Sequence, residues 1–190
     1  MALRIGILGG SGIGLVHARI FNELGAEVIA VLCSSQQKSN DVAKKLALES
    51  GVHVAAYNSL DSFLLTDLDA VSICTPPFLH IQHIKACFER NIPVFCEKPL
   101  FWDDSMTLEK VEQELKLLEQ HQNRRLFVNT SNSVFLDAIL AKKGKPKLCV
   151  NFSFEFYTNG RYTNIGIARD LLPHGLSLLI SLLGECPISN

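Results

Sequence analysis

The chain is short of several features that mark particular classes of protein. Charge of one sign is missing: 18 basic residues meet 19 acidic ones across 190 positions, for a net charge of -1. No strong field therefore gathers nucleic acid or an anionic membrane surface. Charged residues amount to only 19% against 47% hydrophobic ones, which excludes intrinsic disorder and a collagen-like repeat. The six cysteines form no Cys-x-x-Cys pair, and Cys33, Cys74, Cys96 and Cys149 fall within strand-like apolar runs. They read as small buried hydrophobes in a reducing compartment. Met1 to Gly10 is too short for a signal-peptide core, and no later run approaches the ~20 apolar residues of a membrane span. The expectation is a soluble, cytoplasmic chain whose partner is a small molecule, with neither nucleic acid nor membrane involved.

The length allows one full domain and an appendage. Apolar, β-branched runs at Leu3 to Leu8, Glu27 to Cys33, Ala70 to Cys74 and Pro93 to Cys96, with a weaker one at Val52 to Ala56, predict strands covered on both faces. Between them, Gly14 to Leu24, Asn40 to Ser50 and Pro77 to Arg90 repeat apolar residues at three and four positions and predict helices. Strand, helix and strand in succession mean parallel pairing. A charged helix from Asp103 to about His121 and a strand at Leu126 to Asn129 close the doubly wound unit. The fold expected is α/β: a doubly wound parallel sheet of Rossmann type over 1–125, followed by a truncated α+β domain over 126–190. In the latter, Leu148, Val150, Phe152, Phe154 and Phe156 alternate with polar or small residues, the period of a one-sided strand. A last helix is expected from about Asp170 to Leu183, because Pro173 is tolerated only within a first turn.

The first strand runs into Gly9-Gly10-Ser11-Gly12-Ile13-Gly14 and then a helix. There a dinucleotide pyrophosphate would lie over backbone N–H groups at a helix N-terminus. The register is imperfect, since Gly9 and Gly14 taken as first and third glycines put Ser11 in the second place, with Gly10 and Gly12 at hand to compensate. A glycine-rich turn that binds nothing is the alternative. After the second strand, where NAD enzymes carry a carboxylate for the ribose, stand Cys33, Ser34 and Ser35, with Lys38 one turn on. Two hydroxyls and an ammonium suit a ribose 2′-phosphate and tip the cofactor choice between NAD and NADP towards NADP; a solvated loop with a capping serine fits the same residues. Thr75-Pro76 and Glu97-Lys98-Pro99 follow the fourth and fifth strands, at the sheet edge where ligands bind in such folds. His80 and His83 have a metal-compatible spacing but no third ligand nearby, so no metal site is expected.

Gly6-Ile-Leu-Gly-Gly-Ser-Gly-Ile-Gly-Leu-Val-His-Ala18, then Thr-Pro-Pro-Phe-Leu-His over 75–80, then Glu-Lys-Pro-Leu over 97–100, appear in order on their expected elements. Together they resemble the glucose-fructose oxidoreductase, inositol dehydrogenase and MocA family of NAD(P)-dependent oxidoreductases, across most of residues 3–184. The resemblance implies that Lys98 contacts the reacting hydroxyl and the nicotinamide region, and that Asp170 and His174 match the family's Asp-x-x-x-His segment, the histidine as acid-base group. It also implies that His80 and His17 occupy family positions at the cofactor domain. The cofactor-binding set expected is Gly9, Ser11, Gly12, Ile13, Gly14, Ser34, Ser35, Lys38, Thr75, Pro76, His80, Glu97 and Lys98. Two departures stand out: Ser177 replaces a common aspartate three residues after the histidine, and family members continue well beyond this length into a sheet that walls the substrate site and pairs subunits. The chain reads as shortened in that C-terminal domain.

The reaction implied is hydride transfer between NAD(P) and a hydroxyl-bearing carbon of a sugar, polyol or related small molecule, in a homo-oligomer. The alternative is a non-catalytic NAD(P)-binding module, regulatory or structural, with an incomplete substrate domain.

Overall fold

The computed structural model describes residues 1–121, 125–145, 153–155 and 165–184, which belong to two units, Met1–Val128 and Asn129–Asn190. In the first, β1 (Arg4–Leu8), β2 (Glu27–Leu32), β3 (Ala55–Tyr57), β4 (Ala70–Ile73), β5 (Val94–Cys96) and β6 (Leu126–Val128) make one parallel sheet. Its order is β3-β2-β1-β4-β5-β6. The winding reverses between β1 and β4, and such a switch point opens a crevice at the carboxyl ends of the strands. Because β6 pairs with β5, the first unit runs to Val128, three residues beyond the expected boundary.

The apolar runs are continuous because both sheet faces are covered. Ile5, Ile7, Val28 and Val31 pack with Ala18 of α1 (Ile13–Glu23) and with Ala43 and Leu46 of α2 (Gln36–Ser50). On the other face, Leu8, Ala30, Val71, Ile73 and Val94 meet Phe63, from the short α3 (Leu60–Phe63), and Ile84, Cys87 and Phe88 of α4 (Pro77–Glu89). Gly6 makes room for this arrangement: a Cβ there would come within 2.5 Å of Phe63 Cζ. The helix α5 (Leu108–Glu119) is tied to α4 through Glu114, which pairs with Lys85 and with Lys110. Burial works against the charge on Glu114, yet the two ammonium groups outweigh it and hold the carboxyl below its ordinary range.

Several elements start elsewhere than the pattern predicts. α2 begins at Gln36, four residues early, because Ser35 caps it by accepting a hydrogen bond from the Lys38 amide. α3 has four residues, too few to show a helical period. Thr107 caps α5 at Leu108, so Asp103–Met106 form a turn in place of the expected first helical turn.

In the second unit α6 (Ser131–Lys143) packs against α7 (Ile165–Leu183). α7 starts five residues before Asp170, which corrects the expected start: Pro173 lies inside the helix. A proline removes one amide donor and crowds the preceding turn, but the helix-compatible residues on both sides carry the helix through it. The segment Gly166–Leu183 is also long and apolar enough to cross a membrane by length and composition alone, a property that Arg169 and Asp170 obscure in the sequence. The strand expected over 148–156 lies outside the described residues except for 153–155, which carry no regular secondary structure.

The core makes a direct prediction. Phe63→Ala is expected to cost about 3–5 kcal/mol in urea unfolding, whereas Leu48→Ala, at a side chain 78% exposed, is expected to stay within about 0.5 kcal/mol.

Candidate dinucleotide site

The turn from β1 into α1 passes beneath the end of β4 with almost no clearance. Gly9 adopts a φ of +90°, and a Cβ on it would lie 2.6 Å from the Cys74 carbonyl carbon. A Cβ on Gly14 would lie 1.9 Å from the Gly9 carbonyl oxygen. Gly10 is close-packed too, against Val31 and Val42. Gly12, the N-cap of α1, differs in kind: its φ is +56° and nothing lies within 4 Å of an added Cβ. No side chain caps this helix end. Open space over an uncapped N-terminus is what an anionic group needs in order to approach backbone N–H groups. Gly12 is thus the glycine of this turn that leaves open space, and Gly10 serves packing.

A cavity of about 560 Å³ opens beside this turn. Of the expected cofactor residues, Gly9, Ser11, Ser34, Lys38, Thr75 and Pro76 line it. Gly12, Ile13, Gly14, Ser35, His80, Glu97 and Lys98 do not appear in its wall. Ser35 is the α2 cap, and Lys38 Nζ donates to Ser34 Oγ at 3.3 Å. The wall also contains Cys33, Asp41, Val42, Cys74, Phe78 and His83, none of them among the expected cofactor residues. Asp41 corrects the expectation that no acid stands near the end of β2: it comes from the second turn of α2, beyond the loop where a ribose carboxylate is usually sought. The spacing from Lys38 to Asp41, three residues on a capped helix, was the available signal.

His80 is 1% exposed, and its two ring nitrogens lie 3.0 Å from the Pro99 carbonyl oxygen and 2.7 Å from that of Thr75. It thereby joins the two turns that follow β4 and β5, and it acts on the site through their backbones. His83 Nδ1 lies 3.0 Å from Thr75 Oγ1. Burial, aided by neighbouring His80, pushes the His83 imidazole down to about 4, so it is neutral near pH 7.

His17 shows the opposite behaviour. Its Nε2 lies 2.9 Å from Glu97 Oε1, and its Nδ1 lies 2.9 Å from Ser72 Oγ and 3.2 Å from Cys74 Sγ. Burial disfavours charge on the ring, but the bonds to Cys74 and Glu97 outweigh it and raise His17 to about 9. Cys74 is half-buried and lines the cavity, which corrects its reading as a buried hydrophobe. Cys33 and Cys96 are buried as expected; Cys149 lies outside the described residues.

Lys98 belongs to the first unit, whereas Asp170 and His174 belong to the second. Lys98 is half-buried directly after Glu97 and donates its backbone amide to the Glu97 carboxylate at 3.3 Å. Asp170 and His174, four apart on α7, share a helix face and are both half-buried. Gly175 beside them is buried against Phe154, and Ser177 donates its hydroxyl to the His174 carbonyl at 2.9 Å.

Residues 3–130 match the family model of the GFO_IDH_MocA oxidoreductases, described as an NAD-binding Rossmann fold. The chain belongs to this oxidoreductase family. Among its relatives, an inositol 2-dehydrogenase of Rhodococcus erythropolis is 37% identical over 117 residues, 60% of this chain and 33% of the relative. One from Mycolicibacterium gilvum is 34% identical over 116 residues. The chain spans about a third of the length of the curated relatives it matches. Among solved structures, UDP-N-acetylglucosamine 3-dehydrogenase of Acidithiobacillus ferrooxidans superposes with a TM-score of 0.72 at 21% identity, covering 100% of this chain and 59% of that one. The NAD(H)- and scyllo-inositol-bound scyllo-inositol dehydrogenase of Lactobacillus casei gives 0.61 at 24% identity, covering 76% and 42%. At these identities the likeness shows the fold.

The two perturbed histidines set a pH profile. Between pH 6.5 and about 9 the native state keeps on His17 a proton that the unfolded chain has released, so stability falls as pH rises. Between pH 6.5 and about 4 the unfolded chain binds a proton that native His83 does not, so stability falls as pH drops. Thermal melts are expected to peak near pH 6.5, and His17→Gln is expected to flatten the alkaline arm. A melting temperature that climbs steadily through pH 9 contradicts the His17 assignment.

Proposed function

We propose that the protein is an NAD(P)-dependent oxidoreductase that transfers a hydride between the nicotinamide ring and a hydroxyl-bearing carbon of a polyol or sugar. The observation that carries this reading is the cradle itself: an open, uncapped helix N-terminus at Gly12 beside a cavity of about 560 Å³ at the switch point of the sheet. Its position matches the pyrophosphate seat of dinucleotide-binding folds. The inositol dehydrogenases among the relatives support a polyol substrate.

When bound, the nicotinamide supplies the hydride acceptor or donor. The chain's own residues bind and move protons around it. Ser11, with the backbone of Gly12 to Gly14, holds the pyrophosphate, and the Thr75-Pro76 and Glu97-Lys98 turns, joined by His80, flank the ring. His174 takes the hydroxyl proton as the alcohol is oxidised, a task suited to imidazole near neutrality. Lys98 stabilises the developing charge on the substrate oxygen, and Asp170 orients the neighbouring groups. Ser34 and Lys38 favour the 2′-phosphate of NADP, while Asp41 on the same wall works towards the free ribose of NAD; the ammonium is the group we assign to discrimination. The exposed apolar side chains of α6 and α7, among them Phe135, Ile139, Leu172 and Ile180, favour a homo-oligomer.

Two experiments test this. Titration with NADH and NADPH followed by assays on a panel of inositols and sugars is expected to show binding and turnover, and His174→Ala is expected to lower kcat by about 10²–10⁴ with nucleotide affinity nearly unchanged. Binding without turnover on any substrate favours a non-catalytic nucleotide-binding module. Lys38→Ala is expected to weaken NADPH by about tenfold, roughly 1.4 kcal/mol, and NADH much less. Equal losses for both nucleotides remove the discriminating role.

A further inference from the structure

One cluster in the first unit joins a nucleophile to an acid-base group and to the carboxylate of Glu97, and the proposed hydride transfer gives its thiol and imidazole no part. Cys74 Sγ lies 3.2 Å from His17 Nδ1, and the far nitrogen of that ring lies 2.9 Å from Glu97 Oε1. Ser72 Oγ lies 2.9 Å from His17 Nδ1 and 3.5 Å from the sulfur. His17, Ser72 and Glu97 are all buried, at 6%, 0% and 9% exposure. Cys74 is half-buried and reaches the cavity wall beside Gly9, Gly10 and Ser11. Of the four residues, Cys74 is thus the one that lines the cavity.

Two arrangements of hydrogens satisfy all four groups: in the first, the Cys74 thiol donates to Nδ1 of a neutral His17, whose Nε2–H donates to Glu97, and Ser72 donates its hydroxyl to the sulfur. In the second, the thiol proton has passed to the ring, so that His17 donates Nε2–H to Glu97 and Nδ1–H towards Ser72 and the sulfur, Ser72 donates its hydroxyl to the sulfur, and the sulfur only accepts. Passage from the first to the second puts the proton on a ring backed by a carboxylate and leaves the attacking electron pair on the sulfur. Nucleophile, base and orienting carboxylate in hydrogen-bonded series are the arrangement that activates thiols. The aromatic ring of Phe95, 5.4 Å from the imidazole centroid, fixes the ring further. The strong hold of His17 on its proton, up to about 9, agrees with this arrangement. Other thiols differ: Cys87 and Cys96 are 0% exposed, and burial pushes both up, Cys87 to about 12.

We propose that Cys74 is a modification site whose sulfur exchanges with small disulfides, and that the resulting mixed disulfide closes the dinucleotide cavity. The second half rests on the reading of that cavity as the cofactor seat. In the exchange, the Cys74 sulfur attacks one sulfur of the disulfide, a new S–S bond forms as the old one breaks, and the departing thiolate takes the proton from His17 and leaves as a thiol. The incoming disulfide is the oxidant. His17 is left neutral, still donating to Glu97, with Nδ1 free to accept from the Ser72 hydroxyl. An adduct of peptide size next to Gly9 and Ser11 fills the space a pyrophosphate needs, and a bound dinucleotide covers the sulfur in return.

The test incubates the whole chain with glutathione disulfide, with and without saturating NADH or NADPH. Adducts are mapped by peptide mass spectrometry while nucleotide fluorescence reports binding. Cys74 is expected to be modified at least about tenfold faster than Cys87 or Cys96, the adduct to abolish nucleotide binding until reductant is added, and bound nucleotide to slow the modification. His17→Gln is expected to slow it about tenfold or more while leaving the thiol in place; if that variant does not fold, Glu97→Gln retains the ring, removes its supporting charge and is expected to slow it as well. Modification of Cys74 no faster than of Cys87 overturns the proposal, and so does a Cys74 adduct that leaves nucleotide affinity intact. If the unmodified protein binds neither nucleotide, the cofactor reading fails, and the labelling rates alone decide whether Cys74 is an activated thiol.

Discussion

The first unit depends on a contact in which no side chain fits: the Gly9 carbonyl rests where the Cβ of any other residue at position 14 would be, 1.9 Å from it. Glycine at 14 lets α1 start directly over β1, and glycine at 9 lets the same turn lie against the backbone of Cys74. β1 and β4 are hydrogen-bonded neighbours, with Leu8 in register with Ile73, so the turn and the β4 edge are built from one another. The open N-terminus at Gly12 and the cavity beside it follow from this close seating. A methyl group at either position would run into protein backbone and push the helix off the sheet, displacing the open N-terminus with it.

A second layer of constraint comes from buried polar groups, each of which needs a partner. His17 on α1 reaches Ser72 on β4 and Glu97 after β5, while His80 on α4 reaches the carbonyls of Thr75 and Pro99. Two histidines thus bind three chain segments together at the carboxyl edge of the sheet. The Glu-Lys-Pro turn is held from one side by the carboxylate of Glu97 and from the other by the carbonyl of Pro99, and Lys98 stands between these two anchors. The positioning of that lysine is therefore a property of the sheet edge and of two helices packed on opposite faces of it.

Much of this was legible in the sequence because apolar runs, glycine spacing and cap residues act locally. β1, β2 and β4 coincide with runs rich in β-branched residues, whereas β3 (Ala55–Tyr57) has none and starts three residues after the expected Val52; the glycine turn falls where strand gives way to helix. The misses have physical reasons. Four residues of α3 cannot display a period. The first turn of α2 is all polar, so its start depends on the Ser35 cap alone. Pro173 drew the start of α7 downstream because a lost amide was weighed more heavily than the helix-favouring residues around it. Cys74 resembles its apolar neighbours, since nothing in the sequence reveals that a histidine 57 positions away hydrogen-bonds to its sulfur. Asp41 is hidden from a reading of the strand end because it reaches the cavity from α2, one turn beyond Lys38.

The central claim is that the glycine turn seats a dinucleotide, and calorimetric titration of NADH and NADPH into the wild type and Gly14→Ala tests it most directly, with melting curves to establish that both are folded. The account predicts saturable binding of at least one nucleotide to the wild type and a loss of at least about tenfold in Gly14→Ala. A wild type that binds neither nucleotide, or a folded Gly14→Ala that binds as tightly as the wild type, would contradict it.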